Sequence, residues 1–118
     1  YILVESNKLT SVVYMSESLP IPRDKPDIAA ATALAGTLLG LQFLYLDTGS
    51  GADGNVQTNI VKAVKEVTEV PLFIGGGICN QQQLESAWKS GADIVVVGTS
   101  IEKHHNQMFE FKKDVAWS

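Results

Sequence analysis

The sequence predicts an α/β fold of four consecutive βα units, a parallel sheet amounting to half of a (β/α)8 barrel. Apolar runs of strand length alternate with amphipathic stretches of helical period along the chain. Strands separated by helices in this way pack side by side in parallel. A closed eightfold barrel of such units takes about 250 residues, and this chain has 118. It opens at Tyr1 already inside an apolar run, with neither an initiator Met nor a polar lead-in, so a piece of a longer chain is expected.

YILVE (1–5) reads as the first strand, and Ser6, Asn7 and Lys8 as a turn. LTSVVYMS (9–16) reads as a second extended piece, and Pro20, Pro22 and Pro26 make residues 16–26 a loop. Pro26 followed by Asp27 suits a helix start and Gly40 a helix stop, giving a helix over 26–40 whose alanines and Gly36 fit close packing. LQFLYLD (41–47) is apolar on both faces, as a buried parallel strand should be. Alternation puts Phe43, Tyr45 and Asp47 on one of its faces and Leu44 and Leu46 on the other. Asn55 can cap a helix carrying Val56, Ile60, Ala63, Val64 and Val67 on one stripe. VPLFI (70–74) is a strand running into Gly75, Gly76 and Gly77. Asn80 and Gln83 form a capping box ahead of the stripe Leu84, Ala87, Trp88 and Gly91. ADIVVVG (92–98) reads as the last buried strand. His104 to Ser118 read as a final helix with Met108, Phe111 and Val115 inward.

Composition removes several classes of function. Thirteen acidic against nine basic side chains leave a net charge of −4, the wrong sign for neutralising nucleic-acid phosphates. No apolar run approaches the length of a membrane-spanning helix, and no signal peptide is visible. Cys79 is the single cysteine, which excludes an internal disulfide and fits a reducing, cytoplasmic setting.

Three glycine-bearing strand ends carry the chemistry: YLDTGSGA (45–52), GGGI (75–78) and VVVGTS (95–100). Glycine has no Cβ, so a phosphate can approach the backbone and accept several amide N–H groups. In α/β barrels the loops after the last two strands commonly make such a site. Gly76, Gly77, Gly98 and Thr99 are therefore the candidate phosphate ligands. Asp47, among apolar neighbours at a strand end, needs a donor, a metal or a substrate hydroxyl. It can act as a general base, with Tyr45 donating to a phosphate or hydroxyl oxygen. The alternative is that Asp47 only ties its own loop by accepting from the amides of Gly49 or Ser50.

YLDTGSGA, VPLFIGGGI, GADIVVVGTSIEK and the loop PIPRDKPDIAAATALAG together resemble the geranylgeranylglyceryl phosphate synthase family, prenyltransferases built on a TIM barrel. The likeness runs from Tyr1 to about Lys103. It implies the C-terminal half of that barrel, with Tyr45, Leu46, Asp47, Thr48, Gly49, Ser50 and Gly51 holding sn-glycerol 1-phosphate. Gly76, Gly77, Gly98 and Thr99 then clasp its phosphate. Asp47 and Tyr45 carry the catalysis: the strand-end carboxylate activates the glycerol hydroxyl that attacks the first carbon of a polyprenyl diphosphate. Asp47 stands where the family usually has Glu, one methylene or about 1.5 Å longer. The family's Mg²⁺ sits with the diphosphate on an acidic residue of the first strand, in units this chain lacks. No metal ligand is assigned here, because Asp53, Asp93 and Glu102 have no ligand spacing.

Two other readings stay open. The same glycine loops occur in barrels that bind flavin mononucleotide or sugar phosphates, and a half-barrel could be a non-catalytic binding or assembly module. Half a barrel exposes two strand edges and an apolar face, so pairing with the missing N-terminal half or with a second copy is expected, as a homo-oligomer in the latter case. Arg23 and Lys25 can touch a phosphate but more often such a pair is solvated. His104 and His105 suit a capping or exposed role, and Cys79 is an incidental thiol. Trp88 and Trp117 suit packing, while Tyr14 and Met15 fit either an apolar groove or a buried hairpin.

Overall fold

The structure, a computed structural model, describes residues 1–106. Its elements in chain order are β1 (Ile2–Leu3), α1 (Ser11–Ser16), α2 (Pro26–Leu38), β2 (Leu44–Asp47), α3 (Thr58–Val67), β3 (Leu72–Gly75), α4 (Gln81–Ser90), β4 (Ile94–Val96) and α5 (Thr99–Lys103). The strands form one sheet in the order β1-β2-β3-β4, every pair parallel. Parallel pairing in sequence order is what a run of βα units produces, so the expected half-barrel architecture is present.

The core lies between one face of the sheet and the helices. Ile2 and Val4, Leu44 and Leu46, and Leu72 and Ile74 point there from the strands. They meet Ala29 and Ala33 of α2 and Ile60, Val61 and Val64 of α3. The two alanines are fully buried, which is how α2 comes close to the sheet. A smaller cluster of Ile78, Leu84, Trp88 and Val95 joins α4 to β4. Trp88 is thus a packing residue. Asn80 caps α4 through Oδ1, which accepts from Gln83 N at 2.9 Å, and Gln83 Oε1 accepts in return from Cys79 N at 2.7 Å.

Several expectations are corrected. Residues 9–16 are not extended: α1 occupies 11–16, with no buried residue. The strand edge they would have needed is taken by Ile21, whose N–H donates to Leu3 O (2.8 Å) and whose carbonyl accepts from Glu5 N (2.9 Å). A local helix satisfies the segment's own backbone instead. Tyr14 and Met15 stand exposed on it, in neither a groove nor a hairpin. Ile21 also means that the outer edge of β1 is partly covered, against the expectation of two open edges.

The second strand begins at Leu44, leaving Leu41 and Phe43 before it and exposed. Helix α3 starts at Thr58 after Gln57, so Asn55 is not its cap. Residues 52–57 are spent wrapping the end of β2, where Thr48 Oγ1 donates to Gly54 O at 3.3 Å. Strand β4 is not buried on both faces: Ile94 and Val96 are about two-fifths exposed on the face of the sheet that carries no helix. Helical structure after β4 begins at Thr99 and ends at Lys103, with His104 as its C-cap. The expected inward positions Met108, Phe111 and Val115, together with Trp117, lie outside the described residues.

Candidate functional site

The C-terminal ends of β2, β3 and β4 open into one cavity of about 410 Å³. Tyr45 and Asp47 enter it from β2 because alternation turns them to the helix-free face, while Leu44 and Leu46 go to the core. The loop after β2 adds Ser50, Gly51 and Ala52, and the loop after β3 adds Gly76, Gly77, Ile78 and Cys79. Beyond β4 the wall is Val96, Gly98, Thr99, Ser100, Lys103 and His104. The three glycine-bearing strand ends therefore converge on one space.

Asp47 is held at both oxygens. Its Oδ1 accepts from Gly49 N at 2.8 Å and its Oδ2 accepts from the Tyr1 hydroxyl at 2.6 Å. The loop-tying role is thus present, on one oxygen only. A carboxylate offers about four acceptor positions, so two donors leave capacity on Asp47, which lines the cavity. Tyr45 stacks on Tyr1 with ring centroids 5.6 Å apart and planes 13° apart. Burial, and next the negative charge of Asp47, push the Tyr45 phenol above its ordinary value, so it remains a proton donor. The Tyr1 phenol is raised more strongly, by burial first and then by its hydrogen bond to Asp47.

Room for this arrangement comes from the glycines of β3. Gly75 lies against the Tyr45 hydroxyl, in space a Cβ would fill. Gly76 has φ +84°, and a Cβ there would meet Asp47 Oδ1 at 2.8 Å and Gly49 N at 2.9 Å. The backbone at Gly76 is therefore packed directly against the carboxylate and the loop that holds it.

Of the residues expected at the site, Tyr45, Asp47, Ser50, Gly51, Gly76, Gly77, Gly98 and Thr99 line the cavity. Leu46 does not: its side chain is fully buried in the core, and only its backbone lies near the strand end. Thr48 is buried with its hydroxyl on Gly54 O, and Gly49 contributes its amide to Asp47. Arg23 does not line it; its guanidinium donates to Asn7 Oδ1, and its N–H to Glu5 Oε2 at 3.3 Å. Gln57, its amide turned to present oxygen, accepts from Arg23 Nη2 at 2.6 Å. Lys25 is the exposed N-cap of α2, away from the lining.

Sequence reasoning missed Tyr1, Ser100 and Lys103 and gave His104 no part in the site. The spacing signal was available: Lys103 stands one helical turn beyond Thr99 and returns to the same face, but only if the helix begins at Thr99 rather than His104. Lys103 and His104 line the cavity beyond β4. Among the described residues, no three His, Cys, Asp or Glu side chains gather to hold a metal ion.

A model of the PcrB family matches residues 1–115. The chain is 48% identical over 103 residues to a geranylgeranylglyceryl phosphate synthase of Spirosoma linguale, covering 87% of this chain and 41% of that protein. It is 50% identical over 103 residues to the Pyrococcus horikoshii protein of the same name, covering 40% of that protein. It superposes with TM-score 0.82 and 32% identity on a crystal structure of (S)-3-O-geranylgeranylglyceryl phosphate synthase from Thermoplasma acidophilum in complex with substrate sn-glycerol-1-phosphate. That match covers 89% of this chain and 42% of the other. The chain spans about two-fifths of the length of these relatives.

Proposed function

The chain belongs to the PcrB family, and on that premise we propose that it forms the glycerol-phosphate half of a prenyltransferase joining sn-glycerol 1-phosphate to a polyprenyl diphosphate. The observation that carries this reading is that the Asp47 carboxylate and the Gly76–Gly77 backbone line one cavity, with Gly76 packed directly against the carboxylate. A phosphorylated triol needs a phosphate cradle and a base for a free hydroxyl, and in this reading the glycine backbone and Asp47 take those roles.

In the proposed reaction the phosphate lies among the backbone amides of Gly76, Gly77, Gly98 and Thr99, with Lys103 and His104 nearby on the same wall. Tyr45 donates a hydrogen bond to the substrate. Asp47 accepts the proton of the glycerol hydroxyl as its oxygen forms a bond to the first prenyl carbon. The bond from that carbon to the diphosphate breaks, and the diphosphate leaves with the electron pair. Orientation by these groups turns a bimolecular substitution into a reaction of neighbours.

The remaining βα units of the barrel would cover the helix-free face, where Phe43, Ile94 and Val96 are exposed. We assign that cover to an N-terminal half, since the relatives are more than twice as long as the matched region. A cytoplasmic setting fits the free Cys79, and no helix among the described residues is long and apolar enough to cross a membrane.

The test is incubation of the full-length protein with radiolabelled sn-glycerol 1-phosphate, geranylgeranyl diphosphate and Mg²⁺. Label extracted into organic solvent supports the reading; label remaining wholly in water overturns it. A yellow protein as purified would favour a flavin barrel instead.

A further inference from the structure

Resting on that reading of the site, we propose that Tyr1 is the positioning residue that fixes the Asp47 carboxylate for proton acceptance. Pairing of Ile2 with Leu46 in the β1–β2 register places Tyr1 beside Tyr45. The two rings stack at 5.6 Å and 13°, and this contact sets the direction of the Tyr1 Cζ–Oη bond. The hydroxyl then donates to Asp47 Oδ2 at 2.6 Å, the length of a charge-assisted hydrogen bond.

The loop amide of Gly49 reaches the other oxygen, Oδ1, at 2.8 Å. One donor per oxygen, from two segments far apart in the chain, fixes the carboxylate plane as neither alone can. Acceptor positions are left over on Asp47, which lines the cavity. Tyr1 is outside the lining of that cavity and reaches it through Asp47. Nor can it replace Asp47 as base, since its phenol holds its proton well above the ordinary tyrosine range.

Two variants of the full-length protein separate the hydroxyl from the ring. Tyr1→Phe keeps the stack and loses the donor; Tyr1→Leu loses both. The expected result is a fall in kcat of about 10-fold in each, the scale of one hydrogen bond to a charged group. KM for sn-glycerol 1-phosphate should stay within about twofold, because uniform binding is untouched. Hydrogen exchange at the Gly49 amide gives a readout that needs no turnover. It should quicken in Tyr1→Phe as the carboxylate loses its second anchor.

Parent-like kcat and parent-like Gly49 exchange in Tyr1→Phe overturn the proposal. So does impairment in Tyr1→Leu alone, which would make the ring stack the working contact. If the parent itself makes no lipid product, the transferase reading fails, while Gly49 exchange still decides the role of Tyr1.

Discussion

The β2–β3 wall of the cavity and its β4–α5 wall differ in how much room their glycines leave. On the first, Gly75 and Gly76 are hemmed in by the Tyr45 hydroxyl, the Thr48 hydroxyl and the Asp47 carboxylate. On the second, Gly98 has no atom within 4 Å of the place a Cβ would take. The first wall continues into strands whose alternate residues are buried; the second rests on a three-residue strand and a five-residue helix. Asp47 and its loop are thus held by close packing, and the wall beyond β4 by much less.

The largest effect belongs to the packed wall. Asp47→Asn in the full-length protein should lower kcat by about 10²- to 10⁴-fold, the usual span for losing a positioned base. Binding of sn-glycerol 1-phosphate should change little; steady-state kinetics with a direct titration reads both. A variant with near-parent kcat would move the base elsewhere. Gly76→Ala comes next. Its φ of +84° and its contact with Asp47 Oδ1 leave a methyl group no place. A stability loss of about 1–3 kcal/mol is expected from backbone strain of this kind, seen as a lower Tm in a melt followed by circular dichroism.

The foot of the second wall is held by charge. Asp93, just before β4, accepts from Leu72 N at 2.8 Å and pairs with Lys65 at 2.9 Å. The Leu72 bond first, and the Lys65 ammonium next, lower its carboxyl below the ordinary value. A depressed folded-state value stabilises above the unfolded value, about 3.9. That stabilisation drains away as pH falls through the lower folded value. Asp93→Asn should therefore flatten the acid limb of a stability–pH curve below about pH 4, modestly, because the pair is partly solvated. An unchanged acid limb would show that β4 is anchored by packing after all. The smallest effect is expected at Gly98→Ala, within about 0.5 kcal/mol of the parent. A loss matching that of Gly76→Ala would erase the contrast between the walls.

Much of this was legible in the sequence because it depends on local pattern. Alternation put Tyr45 and Asp47 on the open face and Leu46 in the core, and the Asn80–Gln83 cap needed only a spacing of three. What was not legible depends on contacts between distant segments. Residues 9–16 have strand-like composition, but Ile21 had already taken the edge of β1. Tyr1 joins the site only through a register that brings it beside Tyr45, 44 positions on. His104 and Lys103 reach the cavity because the last described helix starts at Thr99, a boundary that no strong cap marks. Leu46 was included with its neighbours because a loop motif names consecutive residues, whereas a strand shows them alternately to opposite sides.

We propose that one cavity, walled by the backbone at Gly76 and the Asp47 carboxylate, takes sn-glycerol 1-phosphate. Calorimetric titration of the full-length protein with that compound, parent against Gly76→Ala, tests it most directly. The account predicts saturable single-site binding in the parent and binding weaker by about 100-fold or more in the variant, where a methyl group displaces the backbone donors. No binding in the parent, or equal binding in both, would contradict it.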